Sequence, residues 1–203
     1  MTESLLEQGG VVLQVIFALS AIAWCMIIWK WLQLRQETRT GMGWADEAIE
    51  RLSRGRAAAV AHVRALCGSQ PNLLGRLMLA SLAYAAPERR DFENHIKPVF
   101  EAEADQLRDH LGLISAIAAC CPLLGLLGTV IGMVRTFEAL GGGSVQTEQL
   151  AAGIGQALIT TQAGLVVGLP LVLAHGYLAS RIQHYVDQAA LRVKKVETML
   201  CVD

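Results

Sequence analysis

Four polar side chains crowd one otherwise apolar stretch: Gln156, Thr160, Thr161 and Gln162 in "GIGQALITTQAGLVVGLPLVLAHGY" (Gly153–Tyr177). A fifth, Thr129, stands in "PLLGLLGTVIGMVRTF" (Pro122–Phe137), and neither stretch contains an Asp or a Glu. Hydroxyls and amides can hydrogen-bond an ion or a carboxylate, but they do not take up and release protons near neutral pH. His175 is the strong titratable candidate nearby, and it reads as an interfacial histidine. A proton route through these residues would need a carboxyl group supplied by another chain, which the hydroxyls and amides would solvate. The plainer reading is tight helix packing, with threonines bonded to their own i−4 carbonyls. That reading explains the glycines well and Gln156 poorly.

The elements that carry these residues follow from where charge is missing. The 203-residue chain is 53% hydrophobic and only 17% charged, with a mean hydropathy of +0.41. No Asp, Glu, Lys or Arg occurs in the 22 residues Gln8–Trp29, the 24 residues Leu111–Val134 or the 32 residues Gln149–Ser180. Roughly 20 helical residues cross a hydrocarbon core, so each run is long enough to span. Three such runs argue against a soluble bundle with three buried helices. The expected fold class is all-α and integral to a membrane: three transmembrane helices, with long helices extending into a cytoplasmic helical region.

The expected order is a short N-terminus (1–10), spans at 11–31, 112–134 and 155–179, a helical region at 32–111, a loop at 135–154 and a C-terminal helix at 180–203. "MTESLLEQGG" has Glu3 and Glu7 and no basic residue, unlike a signal peptide, so the first span is expected to stay in the mature protein. Twelve basic residues lie in 30–110, four in the tail 181–203 and one in 135–154. The positive-inside rule then places the N-terminus and the 135–154 loop outside, and the 32–111 region and the tail in the cytoplasm. Alternation across three spans demands the same arrangement.

Outside the spans, "WADEAIERLSRGRAAAVAHVRALC" (Trp44–Cys67) and "LLGRLMLASLAYAA" (Leu73–Ala86) read as helices separated by "GSQPN". Pro87 fits a first helical turn. From there one long helix is expected to run into the second span. The third span is expected to continue inward, and helices of that length argue for lateral partners in an oligomer. Glu101, Glu103, Asp105 and Asp109 read as a solvated helix face. The cysteines (Cys25, Cys67, Cys120, Cys121, Cys201) form neither a disulfide framework nor a zinc pattern, and the histidines have no metal spacing. No nucleophile–base pair or nucleotide fingerprint is present, so the residues give no enzyme, metal or cofactor. A net charge of −1 gives no reason to expect a nucleic-acid partner.

Within the spans, small residues mark the contacts. At 100° per residue, Ala118, Cys121, Gly125, Gly128, Thr129, Gly132 and Thr136 share a face, and Leu123, Leu127, Val130 and Val134 oppose it. In span three, Ala157, Thr161, Gly164 and Gly168 line one sub-face, with Gln156 and Thr160 on a neighbouring one. Lipid does not drive apolar helices together, so close association uses small residues of this kind. Pro122 and Pro170 are candidate kinks that could free backbone carbonyls.

The stretches Pro122–Phe137 and Gly153–Pro170 resemble the signature helices of the MotA/TolQ/ExbB proton channel family. With three spans the chain resembles ExbB and TolQ rather than MotA, which has four. The resemblance implies a homopentamer in the bacterial inner membrane that encloses the single transmembrane helices of ExbD- or TolR-like subunits. An Asp on that partner helix would be protonated under the proton motive force, and the motion would pass to a TonB- or TolA-like protein. By position, Thr129 and Thr161 match the two threonines that face the partner Asp, and Gln156 stands where family members usually read "GIAEAL". The resemblance supports an ExbB-like subunit that energises TonB-dependent outer-membrane transport. A TolQ-like subunit for envelope integrity and division, or a scaffold without ion flow, are the alternatives.

Overall fold

A computed structural model of the chain describes residues 2–39, 43–54, 56–68, 72–83, 89–141 and 147–200. These form seven helices: α1 (Thr2–Thr38), α2 (Gly43–Arg54), α3 (Arg56–Gly68), α4 (Leu73–Ala83), α5 (Arg89–Arg108), α6 (Leu111–Gly141) and α7 (Thr147–Leu200). No strand occurs among the described residues. Helices α1, α6 and α7 are long and apolar enough to cross a membrane. The fold is therefore all-α and of the integral membrane class. Pro87 and Cys201 lie outside the described residues, as does most of "GSQPN".

The chain divides into two compact units, Met1–Trp29 with His110–Leu178, and Lys30–Asp109 with Ala179–Asp203. The first consists of the apolar parts of α1, α6 and α7. Within this unit the described part of α1 buries Leu13, Ile16, Ser20, Ala23 and Ile27, spaced by three and four as one helix stripe requires. Ala23 and Ile27 pack with Ile114, Ala118 and Cys121 of α6 and Leu171 of α7. The outer face of α6 is apolar and exposed at Leu123, Leu127, Val130 and Val134, the character of a surface that meets lipid.

The second unit builds a conventional helical core around Leu73, Leu74, Leu77, Met78, Phe92, Ile182, Tyr185 and Val193. The start of α4 is capped twice. The Gly75 amide donates to Asn72 Oδ1 (2.9 Å), and the Leu73 amide donates to Glu37 Oε2 (2.7 Å). Both are first-turn donors with no partner inside the helix. Arg76 pairs with Glu103 at 2.8 Å, and the Tyr185 hydroxyl donates to the Glu37 carbonyl at 3.2 Å. Lys30, only 2% exposed, donates to the Gln106 carbonyl near the end of α5, where unsatisfied carbonyls favour a cation. The distal half of α7 thus gains lateral support from helices of its own chain.

Three features differ from the sequence-based expectation. The long helix expected to lead into the second span is two helices, because His110 adopts φ 67° and ends α5 in the left-handed region. The His110 ring is edge-on to Trp29, 5.7 Å between centroids. Trp44–Cys67 is likewise two helices, α2 and α3. Conversely, α6 and α7 run well into the 135–154 segment, to Gly141 and from Thr147, which opens with "RTFEAL" and no breaker before its glycines. The prolines Pro98, Pro122 and Pro170 all sit inside helices that continue through them.

Candidate functional site

Helices α6 and α7 lie antiparallel at a separation only small residues permit. A Cβ placed on Gly164 would lie 2.7 Å from the Cys121 carbonyl oxygen and 3.0 Å from Gly125 Cα. On Gly168 it would meet the Pro122 ring at 2.8 Å. On Gly125 it would stand 3.2 Å from Thr161 Cα, and on Gly132 2.7 Å from the Gly153 carbonyl and 2.8 Å from Ala157 Cβ. Gly128 leaves room for the Thr160 side chain, and Gly153 for that of Thr136. Contacts therefore ascend one helix as they descend the other. Gly125, Gly128 and Gly132 face Ala157, Thr160, Thr161 and Gly164 across one seam.

The threonines divide by their place on this seam. Thr160 is fully buried opposite Gly128, and its hydroxyl is shared between the Gln156 and Ala157 carbonyls at 2.9 and 3.0 Å. Thr161 donates across the seam to the Gly125 carbonyl (3.1 Å) as well as to Ala157 of its own helix (3.2 Å). Thr129 donates to the Leu126 carbonyl at 2.6 Å. Thr129 and Thr161 are both half-buried.

Each of these two directly follows a seam residue, Gly128 or Thr160, so each is turned in the same sense about its own axis. On antiparallel right-handed helices, that puts both on one flank of the pair. They also share one depth, because Thr160 meets Gly128. Each hydroxyl hydrogen is spent on a carbonyl, so what the oxygens keep free is lone pairs. The flank as it stands can accept a hydrogen bond from a protonated carboxyl group or coordinate a cation. Donating to a carboxylate would require the hydroxyls to rotate.

Gln156 does not join them. It precedes the seam residue Ala157, and at 100° per residue it stands about 140° from Thr161. Its Oε1 accepts from Arg135 Nη1 at 2.8 Å, and Arg135 likewise precedes a seam residue, Thr136. Its amide nitrogen packs on Gly10 of α1, where a Cβ would come within 2.6 Å. Arg135 and Gly10 are partners that sequence reasoning missed. Their link to Gln156 crosses helices, so no spacing reveals it; the one local hint is the "GG" at the start of the first apolar run. Among the described residues no cluster of His, Cys, Asp and Glu could hold a metal ion.

Known proteins resemble this chain over much of its length. The model of the MotA/TolQ/ExbB proton channel family matches residues 69–190, which include both seam helices' central residues. The chain is 36% identical over 191 residues to the ExbB-like 1 biopolymer transport protein of Synechocystis, covering 90% of this chain and 72% of the relative. It is 30% identical over 194 residues to an ExbB homologue of Methanothermobacter thermautotrophicus, covering 94% and 67%. A shorter match, 37% over 81 residues, covers 39% of this chain and 36% of the Tol-Pal system protein TolQ of Haemophilus influenzae. With the family model covering more than half of its length and a relative aligned along nearly all of it, the chain belongs to the MotA/TolQ/ExbB proton channel family.

Proposed function

We propose that the chain is an ExbB-like subunit of a motor driven by the proton motive force. Five copies would form a sleeve in the inner membrane, with the N-terminus periplasmic and the C-terminus cytoplasmic. Single-span ExbD-like helices would sit inside, and a TonB-like protein would carry the motion to the outer membrane. The observation that carries this is the meeting of Thr129 and Thr161 at one depth and on one flank, beside helices that hold no carboxyl group of their own in the apolar seam. Such a flank offers hydrogen-bonding oxygens to an acid that arrives on another helix. Thr160, enclosed in the seam, would serve packing.

The ExbB reading is favoured over TolQ because the relatives named ExbB align along 81–94% of this chain, whereas the TolQ relative aligns along 39%. An ExbD/TonB pair or a TolR/TolA set in neighbouring genes would decide between nutrient uptake and envelope constriction. The residue-level test is Thr161→Val, which preserves shape and removes the hydroxyl. Proton uptake by the reconstituted complex should fall at least tenfold while assembly persists. Its interhelical bond is worth only about 0.6–1.7 kcal/mol, too little to dissolve the helix pair. Unchanged uptake would remove Thr161 from the path.

A further inference from the structure

We infer that Gln156, held by Arg135, is a positioning residue that latches α1 to the α6–α7 pair, away from the threonine flank. The inference takes from the proposed function only the assignment of the ion path to Thr129 and Thr161.

Three observations meet at this amide. Its oxygen accepts from Arg135 Nη1 at 2.8 Å. Its nitrogen lies so close to Gly10 that a single added carbon there would stand 2.6 Å away. Gly10 also carries φ 63° and ψ −163°, which interrupts the α1 helix at that residue. Both properties of Gly10, the missing Cβ and the left-handed backbone, are ones only glycine supplies at little cost. The amide nitrogen therefore sits where α1 has lost its regular hydrogen-bond ladder.

The side-chain type fits the task. A primary amide accepts on one end and donates on the other. It can take a guanidinium hydrogen from α6 and turn its N–H groups toward the interrupted backbone of α1. A carboxylate would keep the first contact and lose the second; leucine would lose both. The flank agrees as well, because Arg135 and Gln156 are turned away from Thr129 and Thr161 about their helix axes. The same side of the pair carries Ile117 and Val167, which pack against the buried cluster that includes Ala23 and Ile27 of α1.

The test uses the complex purified with the partner that accompanies it, comparing Gln156→Leu, Gln156→Glu, Arg135→Leu, Gly10→Ala and the Arg135→Leu/Gln156→Leu double variant. Thermal unfolding midpoint and the pH profile of proton uptake in liposomes are both recorded. The latch requires midpoints lowered by about 2–6 °C in Gln156→Leu, Arg135→Leu and Gly10→Ala, and a smaller loss in Gln156→Glu. The double variant should be no worse than the worse single one, the non-additivity of residues acting as a pair. The pH at half-maximal uptake should stay at the wild-type value throughout. A shifted pH midpoint in Gln156→Leu would put the amide on the ion path and overturn the inference. Wild-type melting in all variants, or strictly additive losses, would equally overturn it. Thr161→Val measured in parallel keeps the two ideas apart: if it is silent while the latch variants melt early, the path assignment fails and the latch stands.

Discussion

Gly164 and Gly155 lie about two and a half turns apart on α7, yet a methyl group would do opposite things at each. At Gly164 it would lie 2.7 Å from the Cys121 carbonyl, with Gly125 Cα behind it. Both are backbone atoms that cannot move without separating α6 from α7. Overpacking of this kind costs about 1–3 kcal/mol. At Gly155 nothing lies within 4 Å, and replacing a helical glycine with alanine gains about 0.5–1 kcal/mol. Thermal melts of the purified protein should therefore show Gly164→Ala lowering the midpoint and Gly155→Ala raising or holding it. Equal shifts would mean the seam is looser than described. The small-residue periodicity was legible in the sequence, since Gly125, Gly128, Gly132, Gly164 and Gly168 repeat at three and four. Which polar residue sits in the seam and which on its flank was not legible. Thr160 and Thr161 are neighbours of one type, and only the register against Gly128 separates them.

Helix ends carry the next level of organisation. Asn72 starts α4 by accepting from the Gly75 amide, so Asn72→Ala should cost about 0.5–2 kcal/mol, and Asn72→Gly only a few tenths. Chemical denaturation of the two variants checks the difference. Tyr185 joins α7 to α1 through its hydroxyl on the Glu37 carbonyl. Burial, reinforced by the Glu37 charge and opposed by Arg76, pushes its phenol up from 10.0 to about 12. In the folded state the phenol keeps its proton where the unfolded chain has already released it. This contribution to stability is complete below about pH 10 and is lost as pH rises toward 12. Tyr185→Phe should flatten stability against pH across that window, and an unchanged alkaline slope would contradict the assigned environment. The three apolar helices were legible because charge-free runs of 22 to 32 residues have few other uses. The break at His110 was not. A non-glycine residue in the left-handed region leaves no composition signal, and Asp109 and Gly112 nearby are weak helix formers that on their own do not mark a break.

At the scale of the whole molecule, the chain presents two kinds of apolar surface. One is the outward face of α6; the other is α1 with Trp24, Trp29 and Trp31 exposed, residues that favour a membrane–water boundary. Within the charge-free runs Gln8–Trp29 and Leu111–Val134 neither surface bears a carboxyl group, and the hydroxyls of Thr129 and Thr161 are already satisfied by backbone. By itself the chain thus has, among the described residues, no carboxyl group in its apolar runs at the level of the threonines. The central claim is that the acid belongs to another chain, and its most direct test is proton uptake into liposomes by the chain alone and by the complex isolated with its single-span companion. The account requires negligible uptake by the chain alone, robust uptake by the complex, and loss of that uptake when the companion's intramembrane Asp is changed to Asn. Specific proton uptake of equal rate by the chain on its own would contradict it.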